Sequence, residues 1–95
     1  MSDPQEEGVQ AYAEYLLGLG LAPSTVRMYR ALMRKAAAWA YEEGVDLAHP
    51  AASELGELRE MFVESNSTLR QLRCALQHYW NYREVEPGPI KALRV

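Results

Sequence analysis

The sequence predicts an all-α domain of four helices joined by short loops. Apolar residues recur every three or four positions in four separate stretches, which is the period of an amphipathic helix. Glycine or proline stands between most of these stretches, where helices end or begin. We find no alternation of apolar and polar residues that would predict a strand, and 95 residues suit one compact domain with a single core.

The first predicted helix covers residues 4–17. Asp3 can cap it, because a carboxylate accepts hydrogen bonds from free amides, and Pro4 is tolerated at the first helical position. Gly18 and Gly20 are expected to end this helix. Its buried face is predicted to consist of Val9, Tyr12, Ala13, Leu16 and Leu17.

The second predicted helix covers residues 23–43 and is the longest. Ala22 stands at its cap position, and since alanine caps poorly, we expect the hydroxyl of Ser24 or Thr25 to satisfy the first free amides. Gly44 is the predicted C-terminal stop. The apolar face of this helix is formed by Val26, Tyr29, Leu32, Met33, Ala36, Trp39 and Ala40.

Residues 45–53 are predicted to form a loop, because this run contains Pro50. A third helix is predicted over residues 54–64, with Gly56 as a weak point in its first turn. Its buried side is expected to consist of Leu55, Leu58, Met61 and Phe62.

A fourth helix is predicted over residues 68–84, capped by Asn66 and Ser67 and ended by the Pro-Gly-Pro run at 87–89. Its core face is predicted to consist of Leu69, Leu72, Leu76 and Tyr79, flanked by Cys74, Ala75 and Trp80. The last residues, 89–95, are expected to form either a short fifth helix or the start of a linker.

Charge is sorted by segment, although the whole chain carries a formal net charge of -3. Residues 1–20 carry four acidic side chains and no basic one, and residues 42–64 carry seven acidic side chains and one arginine. Residues 21–41 carry four basic side chains, residues 65–83 carry three, and neither segment contains an acid. Such segregation is typical of an electrostatic binding surface on an otherwise acidic body.

The second helix carries its cations on one side. Arg27, Arg30 and Arg34 are spaced at i, i+3 and i+7, so they share a helix surface, and Lys35 lies beside them. No acid in the same segment neutralises them, so we expect this surface to attract an anion. For one helix by itself, a solvated basic face is the simpler alternative.

The single cysteine, Cys74, excludes an intramolecular disulfide and a thiolate cluster for zinc, and it favours a reducing compartment. The N-terminal segment is acidic and polar, with no apolar run that could serve as a signal peptide or cross a bilayer. We therefore expect a cytoplasmic protein that does not engage a membrane.

Two ordered blocks of the chain carry a known family pattern. The first block is YLLGLGLAPSTVRMY. It begins with an aromatic residue and leucines at a helix end, continues with Gly-Leu and a small residue, and closes with the pattern Thr-aliphatic-x-x-Tyr, which is formed here by Thr25, Val26 and Tyr29. In SNSTLRQLRCALQHYWNYREVEPGPI, a Ser-Thr helix start precedes a small-Ala-Leu middle, the paired aromatics at 79 and 80, and a closing proline. Together these blocks resemble the N-terminal core-binding domain of tyrosine recombinases and phage integrases, also called the integrase SAM-like domain.

The sequence departs from the family pattern at three places. Ala22 stands where the family has a capping serine, and Gly88 stands where it has asparagine. Leu72 and Arg73 reverse the family's order of a basic residue followed by an aliphatic one. Arg73 is therefore expected either to contact DNA from a slightly rotated helix or to lie at the core edge with its head group reaching outward.

The resemblance implies a compact four-helix orthogonal bundle over residues 1–88, with residues 89–95 beginning a linker to a separate catalytic domain. It implies that helices two and four lie against double-stranded DNA as half of a clamp. Arginine and lysine neutralise phosphates, arginine and glutamine also read base edges, and hydroxyls at helix starts donate to phosphates as well as cap. The candidate DNA contacts are Ser24, Thr25, Arg27, Arg30, Arg34, Lys35, Ser67, Thr68, Arg70, Arg73 and Gln77.

We predict no catalytic, metal or cofactor site in this chain. Cys74 and His78 share a helix side at i, i+4, but no third residue that would orient a nucleophile and base or complete a metal site is evident. His49 is expected to be an ordinary surface histidine. Tyr12, Tyr29 and Tyr79 are core aromatics by their spacing, and the resemblance implies that the tyrosine nucleophile of the family belongs to the catalytic domain.

The predicted function is therefore DNA binding within a site-specific recombinase or integrase. The expected partners are double-stranded DNA, the chain's own catalytic domain and sister protomers on the DNA, with no small-molecule substrate. The alternative, from a different class, is a helical protein-interaction module that uses the acidic helices one and three.

Overall fold

The computed structural model describes residues 4–62 and 66–93, and every regular element in those two ranges is helical. The predicted all-α class is thus confirmed. The elements in chain order are α1 (Pro4–Gly18), α2 (Pro23–Glu43), α3 (Ala52–Glu60), α4 (Asn66–Arg83) and a short 3-10 helix, η1 (Ile90–Leu93).

The bounds of α1 and α2 agree with the predicted ones to within a residue. Asp3, the predicted cap of α1, lies outside the described residues. Ala22 precedes α2 without a side-chain cap. At the other end of α2, Gly44 adopts a φ of 68°, and the amide of Val45 donates to the carbonyl of Ala40 at 2.8 Å. This left-handed residue closes the helix with a Schellman motif, in which glycine avoids the clash that a Cβ would cause.

The predicted bounds of α3 are wrong at its start. The helix begins at Ala52, two residues early, because the Glu54 carboxylate accepts a 2.7 Å hydrogen bond from the amide of Ala51 and closes the first turn. It ends at Glu60, where Met61 and Phe62 form a turn, and the predicted end at residue 64 lies outside the described residues.

The helix α4 begins at Asn66, so Asn66 and Ser67, which were predicted to precede it as caps, lie inside its first turn. It ends at Arg83, one residue before the predicted end. Glu84 then adopts a φ of 56°, a left-handed conformation that is uncommon for a residue with a Cβ and that terminates the helix.

The core lies where α1, α2 and α4 pack together, with α3 and η1 closing it from the other side. Leu17, predicted to be buried, is 49% exposed because α1 presents Val9, Tyr12, Ala13 and Leu16 to its neighbours instead. The fully buried side chains are Leu16, Leu55, Leu58, Leu72, Ala75, Leu76, Trp80 and Leu93, with Ala36 between them. Ala75 and Trp80 are therefore central to the core, not at its margin.

The predicted loop after α2 also supplies core residues. Leu47 and Ala48 are buried, and the Asp46 carboxylate holds the turn by accepting a 2.9 Å hydrogen bond from the Ala48 amide. The indole nitrogen of Trp80 donates to the carbonyl of Leu47 at 2.8 Å. Because Trp80 is fully buried, this bond anchors the loop to α4 and satisfies the one polar atom of the indole.

The short fifth helix expected near the C-terminus is present as η1, which packs against α3 and α4. Leu93 is fully buried, so these residues contribute to the core. The chain reaches η1 past Gly88, where an added Cβ would lie 2.9 Å from Cζ2 of Trp80. Glycine at position 88 is thus matched to the close approach of the Trp80 ring.

The described part of the molecule measures 31 × 29 × 25 Å. None of its helices is long and apolar enough to cross a bilayer.

Candidate nucleic-acid interface

The two helices that carry the cations, α2 and α4, pack directly against each other. At their seam the ring of Tyr29 lies 5.9 Å from that of His78, with the two planes inclined by 35°. The Tyr29 hydroxyl is hydrogen-bonded to the thiol of Cys74, and burial followed by this neighbouring thiol raises the pKa of Tyr29. The contacts described at this seam are therefore made by aromatic and sulfur groups and not by the arginines.

The four predicted cations of α2 have different surroundings. Arg27 is exposed, and Arg30 is half-buried with its Nε enclosed and without a hydrogen-bond partner. Arg34 is exposed but already has an interaction partner. Lys35 is exposed and places its Nζ 5.0 Å from the centroid of the Phe62 ring, a cation–π distance.

Helix geometry shows where these cations point. Successive residues of an α-helix are rotated by about 100° around the helix axis. Tyr29 faces α4, and viewed down the axis of α2 the side chain of Arg30 is rotated by about 100° from Tyr29, and that of Arg27 by about 160°. Met33, on the same side of Tyr29 as Arg30, lines a cavity against α1. Arg30 therefore points toward α1, which accounts for its enclosed Nε, and Arg27 lies on the outer surface.

On α4, Arg70 and Gln77 are exposed and Arg73 is half-buried. Arg70 and Gln77 are seven residues apart, which places them on one outward side of the helix. Arg73 follows the fully buried Leu72, so its stem packs at the edge of the core while its head group can reach solvent.

The hydroxyls at the two helix starts are partly accessible. Ser24 and Ser67 are exposed, while Thr25 and Thr68 are half-buried. Ser67 and Thr68 already have interaction partners. The structure thus brings α2 and α4 together as neighbours, while the site residues predicted on them divide between the outer surface, the α1 side and the core edge.

The seam supplies a neighbour for Cys74 and His78 that the sequence analysis did not find. Tyr29 contacts both residues, although it lies 45 positions before Cys74 in the chain. Because burial and then the Cys74 thiol raise its pKa, the protonated phenol of Tyr29 is favoured. Within the described ranges, no group of three or more His, Cys, Asp or Glu side chains could hold a metal ion. His49 is exposed, in the loop.

A cluster of four tyrosines lies on the other side of α4, between that helix and α1. The Tyr12 hydroxyl donates to the carbonyl of Ala75 at 2.7 Å, and the Tyr12 ring meets those of Tyr79 and Tyr82 edge-on at 5.9 and 6.1 Å. Tyr15 adds a fourth ring, 5.2 Å from Tyr82. The spacing of Tyr12 and Tyr79 predicted core aromatics but not this grouping.

Comparison with protein-family models, with curated protein sequences and with solved structures finds no significant match to this chain.

Proposed function

We propose that this chain is the core-binding domain of a tyrosine recombinase or integrase and binds double-stranded DNA through α2 and α4. The proposal includes the orthogonal SAM-like arrangement of its four helices and a cytoplasmic location. Strand cleavage belongs to a separate catalytic domain, so the chain by itself binds DNA without cutting it.

The observation that carries the proposal is the packing of α2 against α4. These helices account for seven basic side chains and, apart from the two glutamates at the end of α2, contain no acid. Their contact makes two basic segments neighbours in a chain whose net charge is negative, with Arg27 on the side of α2 away from α4. DNA carries about one negative charge per 1.7 Å of helix axis, so a local cluster of cations attracts it whatever the total charge of the protein.

The binding mechanism follows from the exposure of the side chains. Arg27 on α2 and Arg70 on α4 are exposed and serve as phosphate contacts that release counterions. Gln77 is exposed on the same side of α4 as Arg70, where its amide can pair with a base edge. Ser24 and the amides at the start of α2 provide a further site for a phosphate, because the helix dipole is positive there.

The test is a titration of the chain with a random-sequence duplex at several salt concentrations. With Arg27 and Arg70 as the cationic phosphate contacts, the logarithm of the association constant should fall with the logarithm of salt concentration with a slope of about −1.8. Arg27→Glu and Arg70→Glu should each weaken binding and make the slope shallower by about one. Arg34 is not used in this test, since it already has a partner.

Lys91→Glu is the matched control. It makes the same change of charge at an exposed residue, but on η1, which packs against α3 and the core side of α4. Binding should be nearly unchanged in this variant. If Arg27→Glu, Arg70→Glu and Lys91→Glu weaken DNA binding equally, the DNA responds to the net charge of the protein alone. If none of the three variants changes DNA binding, the assignment of the binding surface to α2 and α4 is refuted.

An interaction module for proteins is the second candidate function. Leu17 and Leu19, at the end of acidic α1, are 49% and 51% exposed. Neighbouring exposed apolar residues can form a patch of the kind that marks a protein interface. This function would be favoured over the first by three results together. The chain captures a protein partner after nuclease treatment, the double variant Leu17→Ser/Leu19→Ser loses that capture, and the chain does not bind duplex DNA.

A further inference from the structure

A cavity of about 370 Å³ opens between α1, α2, α4 and the loop after α2. Most of its lining surface is apolar, with a polar minority, and its volume falls within the range of about 300–1,000 Å³ that is typical of small-molecule sites. The lining residues are Gly8, Val9, Tyr12, Met33, Ala37, Leu47, Tyr79, Tyr82 and Arg83.

The inner wall of the cavity is formed by buried side chains. Val9, Tyr12, Met33 and Leu47 are buried, and Tyr12 is held by its hydrogen bond to the Ala75 carbonyl. The edge-on contacts of Tyr12 with Tyr79 and Tyr82 fix the aromatic side. An apolar cavity offers water few hydrogen bonds, so it favours an apolar occupant.

The mouth of the cavity carries one cation. Gly8 and Arg83 are the exposed lining residues, and none of the lining residues is acidic. Arg83 donates from Nη1 to the Tyr79 hydroxyl at 3.1 Å, and its guanidinium carbon lies 5.9 Å from the centre of the Tyr79 ring. Tyr79 thus orients the guanidinium.

We propose that this cavity binds a small organic carboxylate whose body is a flat aromatic ring system. The ring lies inside the cavity against Tyr12, Tyr82 and Met33, and the carboxylate remains at the mouth and pairs with Arg83. A guanidinium has five N–H donors, of which Tyr79 engages one, so a bidentate pair with a carboxylate is available.

This inference is independent of DNA binding. The cavity lies toward α1, whereas the proposed DNA contacts Arg70 and Gln77 lie on the outer side of α4. Failure of either proposal therefore leaves the other intact.

The probe for the test is 2-naphthoate, titrated into the full chain and followed by calorimetry, with neutral 2-naphthamide as its matched analogue. We expect saturable one-to-one binding of 2-naphthoate. Arg83→Gln should weaken it by about tenfold, since the charged pair is lost, while binding of 2-naphthamide stays the same. Arg70→Gln is the control, because it removes an exposed arginine of the same helix about 20 Å away.

Filling the cavity should abolish binding of both probes. Ala37→Leu adds side-chain volume inside, and circular dichroism checks that the variant folds. Gly8→Leu blocks the mouth instead, at a position where an added Cβ meets no atom within 4 Å. The proposal is overturned if 2-naphthoate does not bind saturably, if Arg83→Gln and Arg70→Gln weaken it equally, or if the folded Gly8→Leu variant binds as well as the parent chain.

Discussion

Replacing Tyr12 by phenylalanine removes one buried hydroxyl and changes how stability depends on pH. Tyr12 is 1% exposed, and its hydroxyl donates to the carbonyl of Ala75 at 2.7 Å. That carbonyl lies within α4 and keeps its own helical hydrogen bond, so the substitution leaves no orphaned acceptor. At neutral pH we therefore expect a loss of about 1 kcal/mol in the free energy of unfolding, or about 4–8 °C in Tm.

The pH dependence follows from burial of the same group. Burial raises the pKa of Tyr12 above the ordinary value of about 10, so the folded chain keeps a proton that the unfolded chain loses. This contribution to stability is fully present below pH 10 and is lost as pH rises toward the folded pKa, at about 1.4 kcal/mol per unit. Phenylalanine has no such proton, so the wild-type advantage should disappear by about pH 11.

Urea denaturation of both proteins at several pH values, followed by circular dichroism, tests this prediction. Comparing the two chains at each pH removes the contribution of the other tyrosines, which they share. Tyr41→Phe serves as the matched control, since its ring is 77% exposed and the change should leave stability unaltered. If Tyr12→Phe is as stable as wild type at neutral pH and the two curves stay parallel above pH 10, both the hydrogen-bond and the burial arguments are wrong.

Four further substitutions test the packing of the core. Leu16→Ala should lower the free energy of unfolding by about 2–5 kcal/mol, since Leu16 is fully buried. Leu17→Ala should lower it by no more than about 0.5 kcal/mol, because Leu17 is 49% exposed, and urea denaturation of the two variants tests the difference. Gly88→Ala should cost about 1–3 kcal/mol, because the new Cβ would lie 2.9 Å from the Trp80 ring, and near-ultraviolet circular dichroism should report the shifted indole. Leu93→Ala should cost about 2–5 kcal/mol in thermal unfolding; an unchanged Tm would exclude η1 from the cooperative core.

Local patterns predicted most of the helices but not every boundary. The ends of α2 follow from Pro23 and Gly44, whose backbone preferences act within a few residues of their own position. The start of α3 depends on the Glu54 carboxylate reaching the Ala51 amide, which hydrophobic periodicity does not register. A boundary set by one side-chain hydrogen bond is therefore predicted less well than one set by a glycine or a proline.

For the candidate interface, the spacing of the arginines was sufficient to predict that they share a side of α2. It did not predict their surroundings, because the neighbouring helices decide which flank is covered. Arg30 is half-buried with its Nε enclosed, whereas Arg27 is exposed, although both belong to the same predicted cationic face. Binding of DNA by these residues stays a prediction until the duplex titration is made.

The amino-acid sequence by itself determined the helical class, the order of the four helices and the alternation of acidic and basic segments, because all three depend on residues close together in the chain. Only the tertiary structure decided that Tyr29 meets Cys74 and His78, that Trp80 anchors the loop at Leu47, and that a cavity opens beside Arg83. These features join residues far apart in the chain, and they depend on how helices pack, which no local period encodes.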